Sequence, residues 1–265
     1  MNIDRILDGD RLFLIAGPCV IESEEICFRV ADKLKELSEK YEIPVIFKSS
    51  YAKANRTSGE SFSGHGMEYG LKVLGQVREK FAMPVLTDVH ETSETIATAE
   101  VVDVLQIPAF LSRQTELLRA AAATKKWINI KKGQFLAPED MEKAAAKAQS
   151  GKVILTERGT SFGYHNLVVD FRSLIIMRKF GYPVVFDVTH SLQLPAGAGD
   201  FSSGQPEFII PFARAAVAVG VDGLFIETHP DPKQALSDAE AMLPLDKMEQ
   251  LLKEVLKIKR DLNQE

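Results

Sequence analysis

Short β-branched runs alternate with longer segments of helical period along the whole chain, and this alternation is what most narrows the folds open to it. The strand-like runs lie at 11 to 18 (RLFLIAGP), 44 to 49 (PVIFKS), 84 to 89 (PVLTDV), 103 to 108 (DVLQIP), 127 to 131 (WINIK), 152 to 157 (KVILTE), 183 to 189 (PVVFDVT) and 223 to 228 (GLFIET). Helical spacing begins after them near 24, 67, 93, 114, 138, 166, 207 and 245. In the last segment Leu245, Met248, Leu251, Leu252, Val255, Leu256 and Leu262 fall mostly on one stripe. Eight strand-helix units in 265 residues is the count that closes a parallel (β/α)8 barrel, which typically takes about 250 residues. An open doubly wound sheet fits less well. No G-x-G-x-x-G opens a helix after the first strand, and a six-strand nucleotide fold leaves two units unused. No Gly/Ser/Pro linker divides the chain, so the expectation is a single (β/α)8 TIM barrel over residues 1–265, with residues 1–10 an N-terminal extension that caps it or frays.

Composition excludes several function classes. With 45% hydrophobic and 26% charged residues the chain can bury a sizeable core and is not disordered. The balance of 32 Lys plus Arg against 37 Asp plus Glu, a net charge of −5, argues against nucleic acid as a partner. The two cysteines, Cys19 and Cys27, make no disulfide framework, and MNIDRILDGD lacks the features of a signal peptide. No apolar run approaches the roughly 20 residues of a membrane span. A soluble cytoplasmic protein is expected.

Barrel strands should be apolar, so ionisable residues at their C-terminal ends are the informative ones. Strand one ends at Cys19, two at Lys48, three at Asp88 and His90, five at Lys131 and Lys132, six at Glu157 and Arg158, seven at Asp187 and His190, eight at Glu227 and His229; strand four carries Gln106. Barrel closure brings strands seven, eight and one side by side, and with them His190, Glu227 and Cys19. Thiolate, imidazole and carboxylate together suit a divalent transition metal such as Zn²⁺, Fe²⁺ or Mn²⁺. A fourth ligand can come from Asp231 or Asp238 in the following loop. Each residue alone has a plainer reading, Cys19 as a small core side chain and His190 as a hydrogen-bonded loop residue. Their joint placement favours the metal. Cys27, on the stripe of the first helix, reads as core.

Lys48, Lys53, Arg56, Arg113, Lys131 or Lys132, and Arg158 all stand at or just past strand ends. So many cations at one mouth suggest a substrate set with more than one anionic group. One of the lysines could instead be a Schiff-base nucleophile, as in a class I aldolase, and residue types alone leave that open.

The segments IAGPCVIES (15 to 23), FKSSYAKANRTS (47 to 58), SFSGHGMEYGL (61 to 71), TDVHE (87 to 91), QIPAFLSRQTELL (106 to 118), NIKKGQFLAP (129 to 138), LTERGTSFGYHNLVVDFRSL (155 to 174), FDVTHSLQLP (186 to 195) and ETHPDPKQALSDA (227 to 239) closely resemble the 3-deoxy-D-manno-octulosonate 8-phosphate synthase family, also called 2-dehydro-3-deoxyphosphooctonate aldolases. The resemblance runs nearly end to end. It implies a barrel enzyme that condenses phosphoenolpyruvate with D-arabinose 5-phosphate and water, releasing phosphate, on the route to the Kdo sugar of lipopolysaccharide. The sister 3-deoxy-D-arabino-heptulosonate 7-phosphate synthases take erythrose 4-phosphate and typically carry Lys-Pro-Arg where this chain reads Lys53-Ala54-Asn55-Arg56-Thr57-Ser58; Thr57 replaces the commoner Ser. Cys in the G-P-C segment resembles the metal-dependent branch, and the matched motifs imply metal ligands Cys19, His190, Glu227 and Asp238, with no organic cofactor. They imply catalytic roles for Lys48, Lys131, His190 and Cys19. Lys48, Lys53, Gln106, Lys131, Arg158 and His90, with Asp88 beside them, are expected to hold phosphoenolpyruvate. Asn55, Arg56, Thr57 and Ser58 are expected to hold the pentose phosphate, with Arg113 reaching it from a neighbouring subunit of a homotetramer.

Overall fold

The computed structural model describes residues 2–54, 62–195 and 203–263. Eight strands, β1 (Phe13–Gly17), β2 (Val45–Lys48), β3 (Val85–Asp88), β4 (Val104–Ile107), β5 (Trp127–Lys131), β6 (Val153–Glu157), β7 (Val184–Asp187) and β8 (Gly223–His229), pair in parallel in chain order. The ring closes where β1 pairs with β8, from Phe13 beside Gly223 to Gly17 beside Glu227. Helices follow the strands: α1 (Glu24–Tyr41), α2 (Met67–Phe81), α3 (Thr95–Val101), α4 (Thr115–Ala123), α5 (Asp140–Ala148), α6 (Arg172–Arg178), α7 (Ile209–Val219) and α8 (Met248–Leu262). This is the expected (β/α)8 barrel.

Strand side chains alternate between two separate apolar cores. The outward set, including Leu14, Phe47, Leu105, Ile130, Leu155, Phe186 and Ile226, packs under the helices. The inward set, Phe13, Ile15, Ile46, Leu86, Val104, Trp127, Ile154, Val185 and Phe225, fills the lower barrel. Residues 2–10 act as a cap on this second core. A short helix (Ile3–Leu7), its N-terminus capped by the Asn2 side chain, adds Ile6 and Leu7 to the inward cluster. Trp127 Nε1 donates to Asp4 Oδ1 at 2.7 Å and pins the cap to β5.

Local signals explain the helices. α1 starts where the Ser23 hydroxyl accepts from the Ile26 N–H, with Glu24 and Glu25 in its first turn and Lys40 in its last, and it buries Cys27, Val30, Ala31, Leu34 and Leu37 on one stripe. α8 buries Met248, Leu251, Leu252 and Val255; Leu245 lies in the 3-10 turn before it, and Leu262 is exposed at its end. One expectation fails. The segment from 166 is not a helix start: Asn166–Val168 pairs antiparallel with Thr160–Gly163, and α6 begins only at Arg172. Tyr164 and His165 both take left-handed conformations (φ 56° and 53°) and make the tight turn of this hairpin, so β-branched Val168 and its neighbours are drawn into a ribbon.

Two loops fold back over the C-terminal mouth. After β7, the turn His190–Leu192 leads into Gln193–Leu194, which pairs with Ser203–Gly204. After β8, the chain returns so that Leu243–Pro244 pairs alongside Thr228 and His229, and the Thr228 hydroxyl donates to the Leu243 carbonyl. At the top of β1 only glycine fits: a Cβ on Gly17 would lie 2.0 Å from the Lys48 carbonyl oxygen.

Candidate active site

The inward register continues above the apolar layer, and there its chemistry changes. Lys48, Asp88, Gln106, Asn129, Lys131, Thr156, Asp187 and Glu227 come from seven successive strands and are all buried. Four of them form a hydrogen-bonded chain across β6, β5, β4 and β3. The Thr156 hydroxyl donates to Asn129 Oδ1 (2.6 Å), Asn129 Nδ2 to Gln106 Oε1 (2.7 Å) and Gln106 Nε2 to Asp88 Oδ1 (2.5 Å). The Ser50 hydroxyl donates to the other Asp88 oxygen. Every donor points towards Asp88, which fixes both amides and leaves the carboxylate as the acceptor at the end of the chain. Burial alone would raise the Asp88 pKa, but Lys48, Lys53 and His90 outweigh it and hold the carboxyl well below its usual range.

The cations meet carboxylates of the protein itself. Lys48 Nζ donates to Glu227 Oε1 (2.5 Å) and the Cys19 carbonyl (3.0 Å), Lys131 Nζ pairs with Asp187, and Lys53 Nζ lies 3.8 Å from Glu227 Oε1. Arg158 donates through Nη2 to Gln193 Oε1 (2.7 Å) and the His190 carbonyl (3.1 Å). Its buried Nε has no partner among the described residues. The expected cationic mouth is therefore a balanced set, Lys48, Lys53, Lys131 and Arg158 against Asp88, Asp187, Glu227 and Asp238. Buried charges are costly even when paired, so this many mark a working site better than a stabilising one. Burial pulls the Lys131 pKa down to about 8 against the opposing pull of Asp187. For Lys53 burial also pulls down, but Cys19, Glu227, Asp88 and Asp238 together outweigh it and hold the ammonium above its usual value.

A second cluster adjoins the first. One ligand atom each from Cys19, Glu227 and Asp238 lie within 4.8 Å of one another. The Cys19 thiol donates to Asp238 Oδ2 (2.8 Å) and lies 2.9 Å from the Ser237 hydroxyl; burial first, then Asp238 and Glu227, push its pKa well up. His190, expected as a fourth donor, lies outside this set of three: its Nε2 is 3.4 Å from Glu227 Oε2, while Nδ1 lies 2.7 Å from Asp187 Oδ2. Asp231 is engaged elsewhere, accepting from the Lys233 N–H and Gln234 Nε2. Convergent sulfur, nitrogen and oxygen donors in a buried pocket fit a divalent transition metal.

The remaining expected residues sort by position. Lys132 turns away from Lys131 and donates to the Leu136 carbonyl and the Thr160 hydroxyl, with Glu157 3.4 Å away, so it braces loops. His90 lies beside Glu94, whose Oε2 accepts from the His90 N–H at 2.6 Å and from the Tyr51 hydroxyl at 2.8 Å. Arg113 is exposed beyond β4, and among the described residues only its carbonyl is engaged, by Lys147. Asn55, Arg56, Thr57 and Ser58 lie outside the described residues. Sequence reasoning did not single out Ser50, Asn129, Thr156, Gln193 or Ser237. A signal existed for Asn129: in WINIK the inward phase Trp127, Asn129, Lys131 carries a polar residue just below the lysine.

A closed barrel with buried cations and a cluster of sulfur and oxygen donors at the C-terminal ends of its strands defines the class. The chain belongs to the DAHP synthetase I family, whose model matches residues 4–264. Within that family it is similar to proteins named 2-dehydro-3-deoxyphosphooctonate aldolase. That of Cyanothece sp. is 56% identical over 255 residues, covering 95% of this chain and 93% of the relative. The Acidithiobacillus ferrooxidans protein is 58% identical over 244 residues (91% and 87%), and the Xanthomonas campestris pv. campestris protein 58% over 250 (93% and 91%). The resemblance read from the motifs is thus borne out on the octulosonate side of the family.

Proposed function

We propose that this chain is a transferase that condenses phosphoenolpyruvate with D-arabinose 5-phosphate and water to 3-deoxy-D-manno-octulosonate 8-phosphate and inorganic phosphate, in Kdo and lipopolysaccharide biosynthesis. The observation that carries it is the set of buried Lys48, Lys131 and Arg158 with half-buried Lys53, beside the Cys19, Glu227 and Asp238 cluster and neighbouring His190, in a chain sharing more than half its residues with proteins of that name.

In this reading C3 of phosphoenolpyruvate attacks the aldehyde carbon, water adds to C2, and the resulting hemiketal phosphate loses phosphate by C–O cleavage. The four cations gather the anionic reactants and offset their mutual repulsion. Arg158 supplies a spare buried donor in Nε. Lys131, with a pKa of about 8, is the ammonium able to give up a proton near neutral pH, to the oxygen of the departing phosphate. Gln106 and Asp88, held by the Asn129–Thr156 chain, keep the floor of the site rigid. A divalent ion such as Zn²⁺, Fe²⁺ or Mn²⁺ held by Cys19, His190, Glu227 and Asp238 would supply Lewis-acid polarisation or water activation. Asn55, Arg56, Thr57 and Ser58 would take the sugar phosphate, completed by Arg113 of a neighbouring copy in a homotetramer. Two free thiols and phosphorylated substrates suit the reducing cytoplasm. No helix among the described residues is long and apolar enough to cross a membrane.

Phosphate release from phosphoenolpyruvate, assayed with arabinose 5-phosphate and separately with erythrose 4-phosphate, tests the assignment. Turnover with the pentose phosphate is expected. Turnover with only the tetrose moves the chain to the sister activity, and none with either, in metal-loaded protein, favours a binding role. A strong chelator should abolish the reaction and added divalent metal restore it; full activity after stripping sinks the metal site alone.

A further inference from the structure

Asp187 ends β7 fully buried, and no role towards substrate or product has been given to it above. Its four polar contacts among the described residues are unevenly divided. Oδ1 accepts from the His190 N–H (2.9 Å) and the Thr189 hydroxyl (3.2 Å), which are local turn bonds that an asparagine oxygen could also accept. Oδ2 faces His190 Nδ1 (2.7 Å) and the Lys131 ammonium together. Around it the wall is apolar: Lys131 Nζ sits 3.3 Å from the centre of the Phe225 ring, and the His190 ring 5.6 Å from it. An ionised carboxylate in such a place is costly, and its second oxygen serves only the histidine and the lysine.

The geometry has a consequence for the imidazole. A carboxylate oxygen only accepts, so the ring hydrogen facing it belongs on Nδ1. That leaves Nε2 facing Glu227 Oε2 at 3.4 Å, two acceptors that a cation between them reconciles. The same oxygen keeps the Lys131 ammonium from swinging away along its flexible stem. We propose that Asp187 is a positioning residue for two side chains: it holds the hydrogen of His190 on Nδ1, so that Nε2 is presented towards Glu227 of the Cys19, Glu227 and Asp238 cluster, and it fixes Lys131 against the Phe225 ring. This rests on the reading of the site given above.

The test compares Zn²⁺-loaded wild-type protein with D187N and D187A in three measurements. Zn²⁺ affinity, by competition with a chromophoric chelator, should fall about 10- to 100-fold in the variants, as expected for loss of an outer partner of a ligating histidine. Nitrogen-15 spectra of wild type should place the His190 ring hydrogen on Nδ1. KM for phosphoenolpyruvate should rise in the variants beyond any loss in kcat, whereas mere loosening of the fold lowers the active fraction and leaves KM alone. A ring hydrogen on Nε2 in wild type overturns the proposal, as do folded variants with unchanged Zn²⁺ affinity and unchanged KM. If the variants do not fold, the wild-type ring assignment decides. If wild type binds no Zn²⁺ at all, the metal reading has failed, and the ring assignment in metal-free protein with the KM arm still judges Asp187.

Discussion

The lower and upper halves of the barrel interior are built by the same strands with the same alternation, yet they behave as opposite materials. Below, Phe13, Ile15, Ile46, Leu86, Val104, Trp127, Ile154, Val185 and Phe225 pack with Ile6 and Leu7 of the cap into a dry core. Two residues further along seven of the same strands, the inward positions hold Lys48, Asp88, Gln106, Asn129, Thr156, Asp187 and Glu227, with Lys131 two residues beyond Asn129. The lower half gains stability from apolar burial; the upper half gives stability up to keep charges dry. A barrel can afford this because strand register is fixed below and outside, so the ionic layer is held in place by neighbours that need nothing from it.

That division can be broken by substitution. Replacing Lys131 with Met should cost about a thousandfold in kcat/KM for phosphoenolpyruvate, the scale of losing a preorganised charge at the reacting group; a change under tenfold in folded protein removes Lys131 from the chemistry. Ile154→Ala, in the lower half, should lower unfolding free energy by about 3 kcal/mol through the cavity it leaves, while kcat/KM stays within about threefold. A comparable loss in activity at unchanged stability would mean that the halves are not separate. The smallest effect is with pH. Lys131 falls from its ordinary 10.5 to about 8 in the fold, so kcat/KM for the anionic substrate should drop about tenfold per unit above pH 8, and a profile flat from 7 to 10 breaks the assignment. The stability contribution has the opposite sign. Between about pH 8 and 10.5 the unfolded chain binds more protons at this lysine than the folded one does, so this group favours folding increasingly across that window as activity falls.

The barrel was legible because its signal is repeated eight times, and each strand-like run needs only short-range pattern to be recognised. The one helix start misread, near 166, sits where Tyr164 and His165 turn left-handed, a conformation that residue type does not announce. In the site, Cys19, His190 and Glu227 could be grouped because closure puts strands seven, eight and one together whatever the details. Lys131 and Lys132 could not be told apart until the alternation assigned one inward and the other to the loops. The balance of charge was also hidden, since a sum over the chain does not say which anion faces which cation.

The sequence by itself determined the count of βα units, the apolar phase of each strand and the residue types at the strand ends, all of which follow from local periodicity. Only the tertiary structure decided that Asn129 and Thr156 lock Gln106 and Asp88, that Gln193 meets Arg158, and that Asp187 joins His190 to Lys131. Those contacts join residues far apart in the chain or depend on which way a turn aims a side chain. Distance across a closed barrel, unlike spacing along a strand, exists only once the ring has closed.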